Sequence, residues 1–352
     1  MHTWNISDAG ALALAATKRP PVDSLTGLIC LGIMMESSEP VGVPPAVARA
    51  VERVLGAEQL DFMAFSTGAS RRTFLVRHGS RRWVARVAQA PGEELRRAVA
   101  AQQIALAAGV RAPRILAQDL APRSPGGYLW AVEEFVRGIS FDHQSFDREG
   151  TRQASVDLGR QLRLLHAIPM DAFGLVPPRP YEVYATFAEW IANQERRVPA
   201  ALRVSGHSLD LIPSISRVYH LLRDSYAAGP RLIKSDCQGD NVLVADGAVT
   251  ALIDWEWAGG ADPTFEVAYW FFRSTPPAAL DYILAGYQPD DPKLFRRRVM
   301  AYQVLHALDQ MLVFDEYRDT MSTEDFRDAI AYCSHKLAQS LKTRLWEMGR
   351  SD

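Results

Sequence analysis

The chain has little cysteine, no surplus of either charge and no long apolar run, and each shortage removes a class of protein. Its three cysteines in 352 residues, Cys30, Cys237 and Cys333, are odd in number and far apart. That argues against a disulfide framework and for a reducing, cytoplasmic setting. Lys and Arg number 39 against 41 Asp and Glu, for a formal net charge of −2. Basic residues are scattered apart from short runs such as Arg296–Arg298, so nothing points to a nucleic-acid partner. The longest uncharged apolar run near the start, Leu28–Met35, is too short to span a bilayer, and no membrane partner is expected. Pro20-Pro21-Val22-Asp23 separates that run from Lys18-Arg19, so it does not read as an export signal. There is no internal repeat, low-complexity tract or Walker A sequence.

What is present exceeds one typical core, so two lobes are expected. Residues 1–43 read as a disordered leader or as an upstream extension ahead of Met34 or Met35. Residues 44–135 read as a small lobe. A helix runs from Pro44 to Leu55, with prolines in its first turn and Gly56 past its end. Strands follow at 60–65, 73–76 and 83–87, then a helix at 91–108 stopped by Gly109, then strands at 114–117 and 129–135. That is a small antiparallel sheet with a helix against it. Residues 136–350 turn helical, with expected helices at 151–167, 182–196, 208–226, 264–286, 292–315 and 323–346. The fold class is therefore α+β, a small antiparallel sheet lobe joined to a larger, mainly helical one.

The chemistry concentrates in residues 232–254, the short β segment within the helical part. Asp236 and Asn241 are five apart, with Gly239 between them to let the backbone turn sharply. Two apolar strands, 242–244 and 249–253, flank Asp246-Gly247, a strong hairpin signal. Folding about that turn brings Asn241 and Asp254 to one open end, with Asp236 on the loop entering it. Three oxygen-bearing side chains converge without a histidine or cysteine cluster. Such hard ligands suit Mg²⁺, and a carboxylate beside them can take or orient the proton of an attacking hydroxyl. Taken alone, the same residues also make an ordinary surface hairpin.

Asp236-x4-Asn241, Ile253-Asp254-Trp255-Glu256 and Ala261-Asp262-Pro263-x-x-Glu266-Val267-Ala268 resemble the catalytic region of aminoglycoside phosphotransferases and choline-kinase-like enzymes. Phe265–Phe272 resembles most closely the hygromycin B phosphotransferases, and 298–310 resembles the family's C-terminal helix. The resemblance implies a protein-kinase-like two-lobed fold and transfer of phosphate from ATP (or GTP), with Mg²⁺, to a small-molecule hydroxyl. It implies Asp236 as the catalytic aspartate, Asn241 and Asp254 as metal ligands, and Asp262 as a structural carboxylate. The family usually has His-Gly or His-Ala before the catalytic Asp, where this chain has Lys234-Ser235. A cation there favours an ionised Asp236 and weakens it as a base. A nucleotide-binding pseudokinase is accordingly the rival reading from another class.

On the nucleotide side, Ser66-Thr67-Gly68-Ala69-Ser70 between the first two strands has the layout of a phosphate-covering loop, with Ser66, Gly68 and Ser70 as the contacts. Arg86 sits where kinases place a phosphate-pairing Lys, or else is an exposed strand arginine. Its usual acidic partner would lie on the next helix near Ala98, which carries no acid; Glu93 and Glu94 are the candidates. Glu133-Glu134-Phe135-Val136 resembles the inter-lobe hinge, with adenine read by backbone groups of Glu134 and Val136. His166 reads as a satisfied packing histidine. Seven acids in 309–328 against two arginines suggest either an acidic rim drawing a polycationic acceptor or a solvated helix face. Trp255, Glu256 and Trp257 are further candidates to shape the acceptor pocket. A hygromycin-type aminoglycoside is the expected acceptor, and a metabolite or macrolide is the alternative.

Overall fold

The computed structural model describes residues 42–64, 72–121, 127–143, 148–174, 183–273 and 279–343. Ser66, Gly68 and Ser70, and nearly all of the expected leader, lie outside them. The small lobe begins with α1 (Pro45–Leu55), which ends where Gly56 adopts φ +60°. A five-stranded antiparallel sheet follows, built from β1 (Asp61–Ala64), β2 (Arg72–His78), β3 (Arg81–Gln89), β4 (Ile115–Asp119) and β5 (Tyr128–Glu134) in the order β1-β2-β3-β5-β4. Between β3 and β4 runs α2 (Glu93–Ala107).

Strand alternation gives this sheet two apolar faces. One buries Phe74, Val76, Trp83, Ala85 and Val87 against Val47 and Val51, one turn apart on α1. The other buries Ala88, Leu129 and Ala131 against Leu95 and Val99 of α2. The sheet is thus covered on both sides by helices that the Pro and Gly signals had bounded.

Beyond the crossing at 135–138, β6 (Ile139–Ser140) pairs with the hairpin described below, and the chain becomes helical. The helices are α3 (Arg148–His166), α4 (Phe187–Val204), α5 (Ile212–Ser225), α6 (Pro263–Arg273), α7 (Ala279–Tyr287), α8 (Pro292–Glu316) and α9 (Thr323–Thr343). They share one core, in which Leu158, Leu162 and Leu165 of α3 meet Val267 of α6, Ile283 of α7 and Val299 and Tyr302 of α8. α3 and α7 approach closely because both carry glycine at the contact: a Cβ on Gly286 would stand 1.8 Å from the Val156 carbonyl oxygen.

Two expected helices need correction. The single helix over 264–286 is two, α6 and α7, and the sequence between them holds Pro276 and Pro277, which donate no backbone hydrogen bond. The helix expected at 182–196 starts at Phe187, after a capping box in which Thr186 accepts from the Glu189 N–H and Glu189 from the Thr186 N–H.

Arg111, on the segment between α2 and β4, ties the lobes together. Its carbonyl accepts from the Leu252 N–H at 2.8 Å, its backbone N–H donates to Gln161, and its guanidinium reaches Asp157 of α3 and the Val249 carbonyl.

Candidate active site

The site is built on a hairpin whose turn the sequence specifies. β7 (Val242–Ala245) and β8 (Ala248–Leu252) meet at Asp246 and Gly247, with φ +51° and +74°. Positive φ at both central residues is what a two-residue hairpin of the right twist requires. Val242 faces Leu252, and the Ile253 N–H donates to the Asn241 carbonyl at 3.0 Å. Asn241 and Asp254 therefore stand together at the open end, as the spacing predicts.

Asp236 is held to this end by Asn241, whose amide N–H₂ donates to the Asp236 carboxylate at 2.7 Å and to its backbone carbonyl at 3.0 Å. With its nitrogen turned to Asp236, the amide has its oxygen left to face a cation. Asp236 is pushed above the ordinary carboxylate range, first by burial, and the neighbouring Asp254 pushes the same way. Lys234 pulls it down, with smaller pulls from Arg273 and from the Asn241 hydrogen bond. The expectation that Lys234 leaves Asp236 a weakened base is thus reversed in its net direction: the lysine acts in the sense foreseen, and burial outweighs it. Lys234 itself is fully buried and donates to the Asp236 carbonyl at 2.6 Å.

Backbone conformation explains the rest of the loop. Ser235 and Asp254 both lie in the left-handed region, at φ +71° and +63°, conformations costly to most residues. The Ser235 N–H donates at 2.9 Å to Glu266 of α6, whose other oxygen meets His166 at 2.7 Å; the second nitrogen of His166 meets Tyr287 at 3.1 Å. His166 is a satisfied, buried histidine whose partner Glu266 secures the loop before Asp236. The backbone does turn sharply here, in a 3-10 turn over Gly239–Asn241, but with Gly239 outside the left-handed region. Gly239 is needed because Asp142 lies against it, so that a Cβ there would stand 1.9 Å from the Asp142 carboxylate. Asp142 is itself pushed up to about 6 by desolvation and by Asp240, against the pull of His143 and Arg273.

Sequence reasoning did not single out Tyr269 and Arg273, which stand one turn apart on α6. Tyr269 lies near Asp236, and burial first and then the charge of that carboxylate, against the pull of Arg273, raise the affinity of its hydroxyl for its proton. Arg273 donates to Gln238 in the loop at 3.0 Å. Their i, i+4 spacing just after Asp262-Pro263 is the signal that could have found them. Asp262 caps α6 by accepting from the Thr264 N–H at 2.9 Å, and its other oxygen takes Tyr302 at 2.8 Å and Arg298. Trp255 is no pocket residue: it is fully buried in the core, donating to the Leu252 carbonyl.

In the small lobe, Arg86 is buried, which excludes the exposed-strand reading. Its acid is neither Glu93 nor Glu94, which occupy the first turn of α2, but Glu133 of β5. Gln102 of α2 completes the group, accepting from Arg86 at 2.8 Å and donating to Glu133 at 2.8 Å and to the Pro113 carbonyl at 2.6 Å. At the hinge, the Glu134 N–H is spent on the Arg114 carbonyl at 3.0 Å and its carboxylate on the Arg114 side chain, so adenine cannot be read by that N–H. Val136 lies two residues beyond the end of β5.

Part of the acidic stretch is paired within the protein. Asp309 pairs with Arg197, Asp315 with Arg318, and Glu324 and Asp328 lie 3.9 Å from Arg327. Cys237 and Cys333 are free and buried, and among the described residues no helix is long and apolar enough to cross a membrane.

Among the described residues no group of three His, Cys, Asp or Glu could hold a metal ion. A cation here would rest on Asp254, the Asn241 amide oxygen and oxygens of a bound substrate, a hard donor set that fits Mg²⁺.

Residues 61–301 match the model of the phosphotransferase enzyme family, so the chain belongs to that family and is a small-molecule kinase. No curated protein sequence matches it. Among solved structures it resembles a thermostable aminoglycoside phosphotransferase APH(4)-Ia in ternary complex with AMP-PNP and hygromycin B. That match has a TM-score of 0.59 and 19% identity over 84% of this chain and 98% of the other. It also resembles APH(2″)-IIa bound to gentamicin, with a TM-score of 0.58 and 13% identity over 86% and 99% of the two chains. A Haemophilus somnus protein named as a fructosamine-3-kinase matches with a TM-score of 0.58 and 13% identity over 84% and 96%. These likenesses bear out the two-lobed, kinase-like fold.

Proposed function

We propose that the protein transfers the γ-phosphate of ATP, with Mg²⁺, to a hydroxyl of a small molecule at Asp236. The observation that carries this reading is the Asp236 carboxylate fixed by the Asn241 amide beside Asp254, at the open end of one hairpin. Asp236 accepts or orients the proton of the acceptor hydroxyl, and its upward-shifted affinity for protons favours that role. Asn241 holds the carboxylate in place. Asn241 and Asp254 would hold Mg²⁺, whose charge when bound offsets that of the phosphates. Arg86 approaches the phosphates from the sheet, and Ser66, Gly68 and Ser70 cover them. The adenine is read by the backbone at Val136 and by the Glu134 carbonyl. The lobe boundary falls at 135–136, between a nucleotide lobe of 44–135 and an acceptor lobe of 136–350, and the protein works in the cytoplasm.

For the acceptor we propose a hygromycin-type aminoglycoside, modified as a means of antibiotic resistance. The Phe265–Phe272 segment and the likeness to APH(4)-Ia support that reading. A specific observation favours the alternative of a metabolite or macrolide: two of the acids of 309–328, Asp309 and Asp315, are already paired with arginines of this chain. The test is Mg·ATP turnover against hygromycin B, other aminoglycosides, a macrolide, choline and a ketosamine, with Asp236→Ala in parallel. ADP release that needs one acceptor and vanishes in the variant supports the kinase and names its substrate. Nucleotide binding with no turnover on any acceptor would favour the pseudokinase reading.

A further inference from the structure

The buried cation of the small lobe is held differently from the helix-acid arrangement that the family resemblance implies. Arg86 and Glu133 lie on β3 and β5, which are hydrogen-bonded neighbours in register from Trp83↔Glu134 to Gln89↔Tyr128. Both side chains are almost wholly removed from water. The helix contributes no charge: Gln102, fully buried, offers α2's nearest polar group. Its amide is saturated, with the oxygen accepting from Arg86 and the nitrogen donating to Glu133 and to the Pro113 carbonyl.

We infer that Glu133 is the positioning residue for Arg86, and that Gln102 is the neutral bridge fastening α2 to a pair the sheet already makes. This rests on the reading of Arg86 as a phosphate contact. Because both charged partners belong to one sheet, the pair keeps its geometry wherever α2 stands, so displacement of the helix does not disarm the cation. A carboxylate at position 102 in addition to Glu133 would set two acids against one arginine and leave the Pro113 carbonyl without its donor. The neutral residue on the helix and the acid on the strand are therefore a matched set.

The matched set can be tested by exchanging it. Binding of ATP with and without Mg²⁺ to the wild-type protein is measured first by calorimetry; if there is none in either condition, the nucleotide reading itself falls. With binding established, Glu133→Gln is expected to weaken ATP binding about tenfold or more, and in turnover to raise KM for ATP with little change in kcat. The double variant Q102E/E133Q, which returns the acid to the helix, is expected to recover binding to within about fivefold of wild type. A purely structural role for Glu133 would instead lower the folded fraction, and with it kcat, and leave KM for ATP unchanged. Unchanged ATP affinity in E133Q, or a double variant no better than the single, would overturn the inference while leaving the kinase reading intact. Should E133Q prove too unstable to assay, the double variant is compared with wild type directly. Affinity within fivefold then supports the exchange, and a larger loss or an unfolded chain refutes it.

Discussion

Arg86 in the sheet and Asp236 in the loop before the hairpin both belong to the proposed site, yet their surroundings treat charge in opposite ways. Arg86 is held in place: an acid from the neighbouring strand and an amide from α2 fix it before any ligand arrives. Asp236 has a second carboxylate beside it, and the nearest cation, Lys234, spends its hydrogen bond on the backbone carbonyl rather than on the carboxylate. The first environment fixes a side chain. The second keeps electrostatic work in hand for a proton or a cation that comes with the substrate. Behind the loop, α6 and α8 supply rigid support through Asp262, Arg298 and His306.

The sharpest way to break this contrast is to remove the carboxylate left unneutralised. Asp236→Ala is expected to lower acceptor-dependent turnover about 10²–10⁴-fold, the range of a general base, with ATP binding retained in calorimetry. Asp254→Ala should lose the Mg²⁺-dependent part of ATP binding as well; wild-type turnover in either would move the site elsewhere. Next comes the support behind the loop. Asp262→Ala strands a buried arginine and should cost about 3–5 kcal/mol in urea unfolding.

A third effect is set by pH. His306 lies among Phe265, Tyr269 and Phe272, and burial lowers its pKa to about 4 from 6.5, against opposing help from the Phe265 carbonyl and Asp309. A histidine depressed in the folded state takes its proton more readily when unfolded. Its contribution is therefore intact above pH 6.5 and declines as the pH falls toward 4, by about 3 kcal/mol in all. Unfolding curves of His306→Asn should lack that component; an unaltered pH slope would show that other groups supply it. The smallest effect belongs to Arg197→Ala. Its half-exposed pair with Asp309 is expected to be worth no more than about 1 kcal/mol in thermal unfolding, and less in high salt.

Local chemistry made much of this legible. Asp246-Gly247 specified the hairpin, and the hairpin specified the meeting of Asn241 with Asp254. Pro and Gly bounded α1 and α2 to within two residues. What escaped depends on contacts between distant parts of the chain. The Glu133 partner arises from the β3–β5 register, and Gln102 lies one turn beyond the Ala98 position where an acid was sought. The net shift of Asp236 follows from burial, which no spacing reports. Trp255 looked like a pocket residue because it follows the metal aspartate, and it is core because the chain turns inward there.

The bonds of Arg111 to Leu252 and Val249 have a mechanical consequence. With the covalent crossing at 135–138, and with Ala98, Ala101 and Ala105 of α2 buried in the same core as the helices beyond it, they clasp the small lobe to the larger one. One further bond spans the gap, from Arg97 of α2 to the Glu256 carbonyl just past Asp254. It acts as a latch, and opening the jaws requires it to let go.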